Sequence, residues 1–124
     1  MQHAIAYEKQ QGAEVIDVTT EPKWRQAGYR EPPGFDLLSR RPDETELSIE
    51  VKGRGHSGSV ELTFNEWFRA RNLRQLYWLY TVFNCVSDSP RLERVQDPYT
   101  RGIGTPTGSV IIKASEIHAH AEQE

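Results

Sequence analysis

The chain has 124 residues, of which 36% are hydrophobic and 27% charged, and carries a formal net charge of −3. That is one domain's length with enough apolar residues for a core, and it lacks the overall basic footprint usual in nucleic-acid-binding domains. A single cysteine, Cys85, excludes an internal disulfide framework and a cysteine-based zinc cluster. No stretch is apolar for long enough to span a bilayer and no signal-peptide pattern opens the chain, so a soluble, intracellular, cytoplasmic protein is expected, with no membrane partner.

Residues 2–11 read as a helix, with Ile5 their only β-branched residue and Gly12 as the left-handed stop. Ile5 and Tyr7 are expected to face inward and Glu8 to lie near a rim. No capping residue precedes the helix, which points to a domain cut from, or following others in, a longer protein. Residues 15–18 form a short apolar strand. Residues 19–33, with Pro22, Gly28, Pro32 and Pro33, read as a long loop whose Trp24 and Tyr29 either pin it to the core or line a groove.

Residues 35–41 and 46–54 read as the two strands of a hairpin around Pro42-Asp43-Glu44-Thr45. Pairing them about that turn sets Asp36 opposite Glu50. Side-chain alternation gives Phe35, Leu37, Leu47, Ile49 and Val51 to a core face, and Asp36, Glu50 and Lys52 to the other. The glycine-rich run 53–59 lacks the spacing of a phosphate loop. Residues 59–62 read as a third strand, returning antiparallel to the second.

Thr63-Phe64-Asn65-Glu66 is a capping box, so Glu66 is taken as a cap rather than an active-site group. The helix it opens places Phe64, Trp67, Phe68 and Leu73 on an apolar face and Arg69, Arg71 and Arg74 outward. Residues 76–83 are almost continuously apolar, as befits a strand buried on both faces. Residues 92–95 and 109–113 read as edge strands separated by a mobile loop over 97–108, and Ser115 as the cap of a short last helix. Strands and helices mix without regular βαβ alternation, giving an α/β sandwich around a mixed sheet.

The constellation that could carry chemistry is Asp36, Glu50 and Lys52. Two facing carboxylates suit a hard divalent cation such as Mg²⁺. An ammonium two residues along the same face could orient a water or neutralise charge building on a phosphate. Taken alone, E-x-K is most simply a solvated strand face. Arg54 and His56 beyond the hairpin, with Arg69, Arg71 and Arg74 on the helix, would supply phosphate contacts. His118 and His120 lack partners at metal-binding spacing, and no serine stands in a nucleophile-elbow context.

Several segments together carry a family resemblance: Tyr7-Glu8 with Gly12, Gly34-Phe35-Asp36-Leu37-Leu38-Ser39, Ile49-Glu50-Val51-Lys52-Gly53, Leu62-Thr63-Phe64-Asn65-Glu66-Trp67 and Tyr77-Trp78-Leu79-Tyr80. In these, from Tyr7 to about Pro98, the chain resembles the NO VEIN C-terminal-type domain. That domain, of poorly defined function, is often appended to helicase-like, ATPase or restriction-modification proteins and belongs to the PD-(D/E)XK nuclease superfamily. The resemblance implies an α/β, restriction-endonuclease-like mixed sheet with an αβββαβ core and helices on both faces, as one domain over residues 1–124. It implies Asp36 and Glu50 as metal-binding carboxylates, the Val51 carbonyl as a further ligand, Lys52 as the catalytic lysine, and Glu8 as an auxiliary helical acid. Phe35 stands where the superfamily's name motif has proline. Asn65, Glu66 and Trp67 match a family signature without a settled role. The implied activity is a Mg²⁺- or Mn²⁺-dependent endonuclease acting on DNA in a defence or repair system. The alternative is a non-catalytic DNA- or protein-binding module attached to a helicase or ATPase. A homodimer is compatible with either.

Overall fold

The computed structural model describes residues 1–54 and 58–122. The order of elements is α1 (Gln2–Gln10), β1 (Glu14–Asp17), α2 (Glu21–Gln26), β2 (Leu37–Arg40), β3 (Glu46–Arg54), β4 (Val60–Leu62), α3 (Phe64–Leu73), β5 (Tyr77–Phe83), β6 (Arg91–Gln96), β7 (Thr105–Pro106), β8 (Val110–Ile112) and α4 (Ala114–His120). A five-stranded sheet runs β1-β2-β3-β5-β6. Its first three strands form an antiparallel meander, β5 joins β3 in parallel, and β6 closes antiparallel on β5. The crossover between β3 and β5 passes through α3, since a parallel neighbour needs a long connection.

The hairpin forms where its turn chemistry predicts. Asp43 Oδ1 accepts the Thr45 N–H at 3.0 Å, Arg41 N–H reaches the Thr45 carbonyl at 2.8 Å, and Glu44 takes the left-handed conformation at φ 68°. Leu37 pairs with Ile49, so the register carries Asp36 opposite Glu50 as expected. Both faces of the sheet are covered, and one-residue alternation therefore sorts each strand between two interiors. On one face Ala4 of α1 packs with Leu37, Leu47, Ile49 and Tyr80. On the other, Trp24 of α2 and Ala70 of α3 pack with Phe35, Leu38 and Tyr77. Phe35 is thus not on the Leu37 side. It precedes β2 directly after Gly34, whose φ of +82° turns the chain there.

Five expectations are corrected. Residues 19–33 contain α2, entered through Thr20 and Pro22, because Trp24 is 7% exposed and anchors the turn of helix in the core. β4 does not extend the main sheet, since β2 and β5 already occupy both edges of β3; it pairs with β8 in a second sheet ordered β4-β8-β7. β8 is consequently the middle strand of that sheet, not an edge. Residues 97–108 are anchored: Ile103 is 5% exposed and the Gly104 N–H donates to Glu116 at 3.0 Å. Glu116 also accepts the Lys113 N–H at 3.1 Å, so Glu116 rather than Ser115 closes the start of α4. Among the described residues no helix is long and apolar enough to cross a membrane.

Candidate active site

The site lies just before β2 begins, where β3 continues past it, on the α3 face. Asp36 is fixed by its main chain on both sides, donating to the Ile49 carbonyl at 2.9 Å and accepting from Val18 N–H at 2.9 Å. Its side chain then does what the missing strand residue would do: Oδ2 accepts the Val51 N–H at 2.8 Å. Ile49 and Val51 therefore present their main-chain groups to the same side of β3, and the Val51 carbonyl faces the Asp36 side. Glu50 and Lys52 alternate with them and project toward α3.

Glu50 is 3% exposed. The Lys52 ammonium lies 3.5 Å from Glu50 Oε2 and donates to both oxygens of Glu66, at 3.0 and 3.2 Å. Glu66 is also the cap that the sequence predicts, since Oε1 accepts the Thr63 N–H at 2.8 Å while Thr63 Oγ1 accepts the Glu66 N–H at 3.1 Å. One carboxylate thus ends a helix and holds the lysine. Sequence reading found the first role and missed the second. The Asn65-Glu66-Trp67 signature carried the signal without its meaning.

Burial, reinforced by the charges of Asp36 and Glu66, pushes the Glu50 carboxyl up to about 10. For Glu66 burial acts upward, but hydrogen bonds from the Glu50 carboxyl, Thr63 and Lys52 outweigh it and hold the group below its ordinary range. For Lys52 burial acts downward, and Glu50 and Glu66 more than offset it, so the ammonium is retained. The Tyr77 hydroxyl, fully buried under the same face, is raised well above its usual value by burial and then by Glu50, Glu66 and Asp36. It has no hydrogen-bond partner among the described residues, and neither does Thr81 Oγ1, which stands opposite Lys52 on β5.

Three carboxylates against one ammonium leave an excess of negative charge in a low-dielectric recess. Without a cation, Glu50 relieves it by keeping a proton. The donors are all hard oxygens, two carboxylates and a carbonyl, as suits Mg²⁺ or Mn²⁺, which retain several waters beside one or two carboxylates. Among the described residues no three His, Cys, Asp or Glu side chains converge as a complete cage. The set Asp36, Glu50 and Val51 fits an ion that completes its shell with water or substrate.

Glu8 is not brought to this site. It is 0% exposed on the α1 face and accepts from Ser39 Oγ at 2.7 Å, from Arg41 Nε and Nη2 at 2.8 Å each, and from the Tyr80 hydroxyl. It is a buried network hub, not a rim residue. Burial alone would raise its pKa, but those hydrogen bonds, Arg41 first, bring it below the ordinary value. Of the basic residues, Arg54 donates to the Ser59 carbonyl at 2.6 Å, Arg69 packs against Gly34, and Arg71 is exposed on α3. Arg74 donates to Thr100 at 3.1 Å with its guanidinium 4.9 Å from the Tyr99 ring centre. His56 lies outside the described residues.

A comparison with curated proteins returned no match. Among solved structures, the fold is similar to Archaeoglobus fulgidus Hjc, a Holliday junction resolvase from an archaeal hyperthermophile. The TM-score is 0.63 at 15% identity, covering 99% of this chain and 95% of that one. The sheet order and two-faced helical cover described above are therefore those of the restriction-endonuclease-like fold. The sequence model of the family described as "Protein NO VEIN, C-terminal" matches residues 1–95, from α1 into β6. Its pattern takes in the hairpin, the capped α3 and the central strand that build the site, and the chain belongs to the NO VEIN C-terminal domain family.

Proposed function

We propose that this domain is a divalent-metal-dependent nuclease hydrolysing DNA phosphodiester bonds, suited to a defence or repair setting. The observation that carries the reading is the charge imbalance between half-buried Asp36 and Glu66 and buried Glu50, with one retained ammonium at Lys52. Asp36, Glu50 and the Val51 carbonyl would hold Mg²⁺ or Mn²⁺. Bound there, the ion would supply Lewis-acid activation of water and neutralisation of phosphate charge. Lys52 stays protonated, so it offers a fixed positive charge and N–H donors toward the reacting phosphate rather than a base. Glu66 and Glu50 fix its direction. Exposed Arg71, with Arg54 and Arg69, would meet neighbouring phosphates and position the strand without reading sequence. Arg74 is already engaged by Thr100 and Tyr99, so it contributes less. The partners of this reading are DNA and, where both strands are cut, a second copy of the chain.

One observation favours the alternative, a DNA- or protein-binding module serving a helicase or ATPase. Both Glu66 oxygens already occupy Lys52. Plasmid incubated with Mg²⁺ or Mn²⁺ separates the two readings. The nuclease reading expects nicking that EDTA and Asp36→Ala both abolish. Absence of cleavage with DNA binding intact would establish the module instead.

A further inference from the structure

A second concavity, of about 660 Å³, opens on the α1 face at the turn end of the hairpin, across the sheet from Asp36. Register places Leu47, Trp78, Arg94 and Gln96 on this face, since Tyr80 pairs with Arg94 and Trp78 with Gln96. Arg41 and Leu76 stand at its walls, and Leu76 is 49% exposed.

Two guanidinium groups border this space, and only one has an acid. Arg41 spends Nε and Nη2 on Glu8. Arg94 is 8% exposed, and its Nε has no hydrogen-bond partner among the described residues. Its guanidinium carbon lies 4.4 Å from the Tyr7 ring centre, 5.2 Å from that of Trp78 and 5.8 Å from that of Tyr80. Glu8 answers Arg41, whereas no carboxylate lies within ion-pair distance of Arg94 among the described residues. The ring faces offset part of its desolvation, but a buried cation is normally matched by an anion. None of the rim acids reaches Arg94: Glu46 pairs with Arg40 at 2.7 Å and Glu122 with Arg101 at 3.2 Å, while Asp43 keeps its charge at the hairpin turn, where it accepts the Thr45 N–H at 3.0 Å.

The space therefore offers an oxyanion position at Arg94 and Arg41 next to the apolar side chains of Trp78 and Leu47, with Leu76 at the wall. Its size is that of small-molecule sites. We propose that this cavity binds a nucleotide, with the phosphate at Arg94 and Arg41 and the base against Trp78. The shared chemistry, one phosphate beside one base, is offered by a free mononucleotide and by the phosphorylated end of a strand. The site lies on the other face of the sheet from Lys52 and does not depend on nuclease activity.

The test titrates the intact chain with AMP, adenosine and inorganic phosphate, read by thermal shift and tryptophan fluorescence. AMP should raise the melting temperature saturably, with adenosine at least ten-fold weaker. Arg94→Gln should weaken AMP at least ten-fold. Should that variant not fold, Gln75→Trp at the exposed rim fills the mouth without touching the core and should also block AMP. Lys52→Ala should bind AMP as the unsubstituted chain does; loss there would place the ligand at the Asp36 site and overturn the proposal. Displacement of AMP by a 5′-phosphorylated single strand, and not by its unphosphorylated twin, supports the site and names a strand end as the source. AMP binding that neither strand displaces supports it and names a free nucleotide. No AMP-dependent shift, or a shift undiminished in Gln75→Trp, overturns it.

Discussion

Glu50 and Glu8 are both buried carboxyls, and their neighbours drive them in opposite directions. Glu50 faces Asp36 and Glu66 and is pushed up to about 10. A raised carboxyl means that the folded state binds the proton more tightly. Its stabilising contribution is complete below the unfolded value near 4.5 and is lost as pH rises through about 10. In EDTA the melting temperature should fall between pH 6 and 9, and Glu50→Gln should flatten that slope. Added Mg²⁺ should stabilise more as pH rises, because the ion competes with the Glu50 proton; an equal shift at every pH would contradict the assignment. Glu8 has the reverse sign. Its lowered pKa contributes stability above about 4.5 that is lost on acidification. Glu8→Ala leaves half-buried Arg41, Ser39 and the Tyr80 hydroxyl without their shared acceptor and should cost about 3 kcal/mol by denaturant melt. Glu8→Gln should flatten the acid limb.

Among the elements, the hairpin was the most legible, because turn residues and two-residue alternation agree and a one-residue slip would exchange the two faces. Asp36 opposite Glu50 followed from that alone. The capped α3 was equally legible, yet the second duty of Glu66 was not, because a link between α3 and β3 is a tertiary fact that no local pattern encodes. For the same reason the polarity of Glu8 points to a rim, and only packing reveals Arg41, Ser39 and Tyr80 around it. The small sheet was misread because three-residue strands such as β4 and β8 leave their partners unspecified in sequence. α2 was hidden by Pro22, which can open a helix as well as break one. Because Glu66 serves helix and lysine together, Glu66→Gln should keep much of the cap and lose charge pairing with Lys52. Cleavage should fall about ten-fold or more, while stability falls by no more than about 1 kcal/mol. Loss of both in proportion would mean that Glu66 acts on α3 alone.

For the molecule as a whole, a net charge of −3 is compatible with the proposed phosphate chemistry because the charges are sorted rather than balanced. An acidic recess lies on the α3 face, a buried guanidinium without an acid partner on the α1 face, and basic side chains along α3. The sheet between them carries Glu50 and Lys52 on β3, which is paired on both edges, and holds Asp36 by main-chain bonds to Val18 and Ile49. The central claim is that Lys52 acts on the reacting phosphate rather than holding the domain together. The direct measurement is the Mg²⁺-dependent cleavage rate of Lys52→Ala on plasmid DNA, taken beside its DNA affinity and melting temperature. The account predicts a loss of at least about 100-fold in cleavage, the range for removing one transition-state charge contact, with binding within a few-fold of the unsubstituted chain. Cleavage by Lys52→Ala at the unsubstituted rate would contradict it.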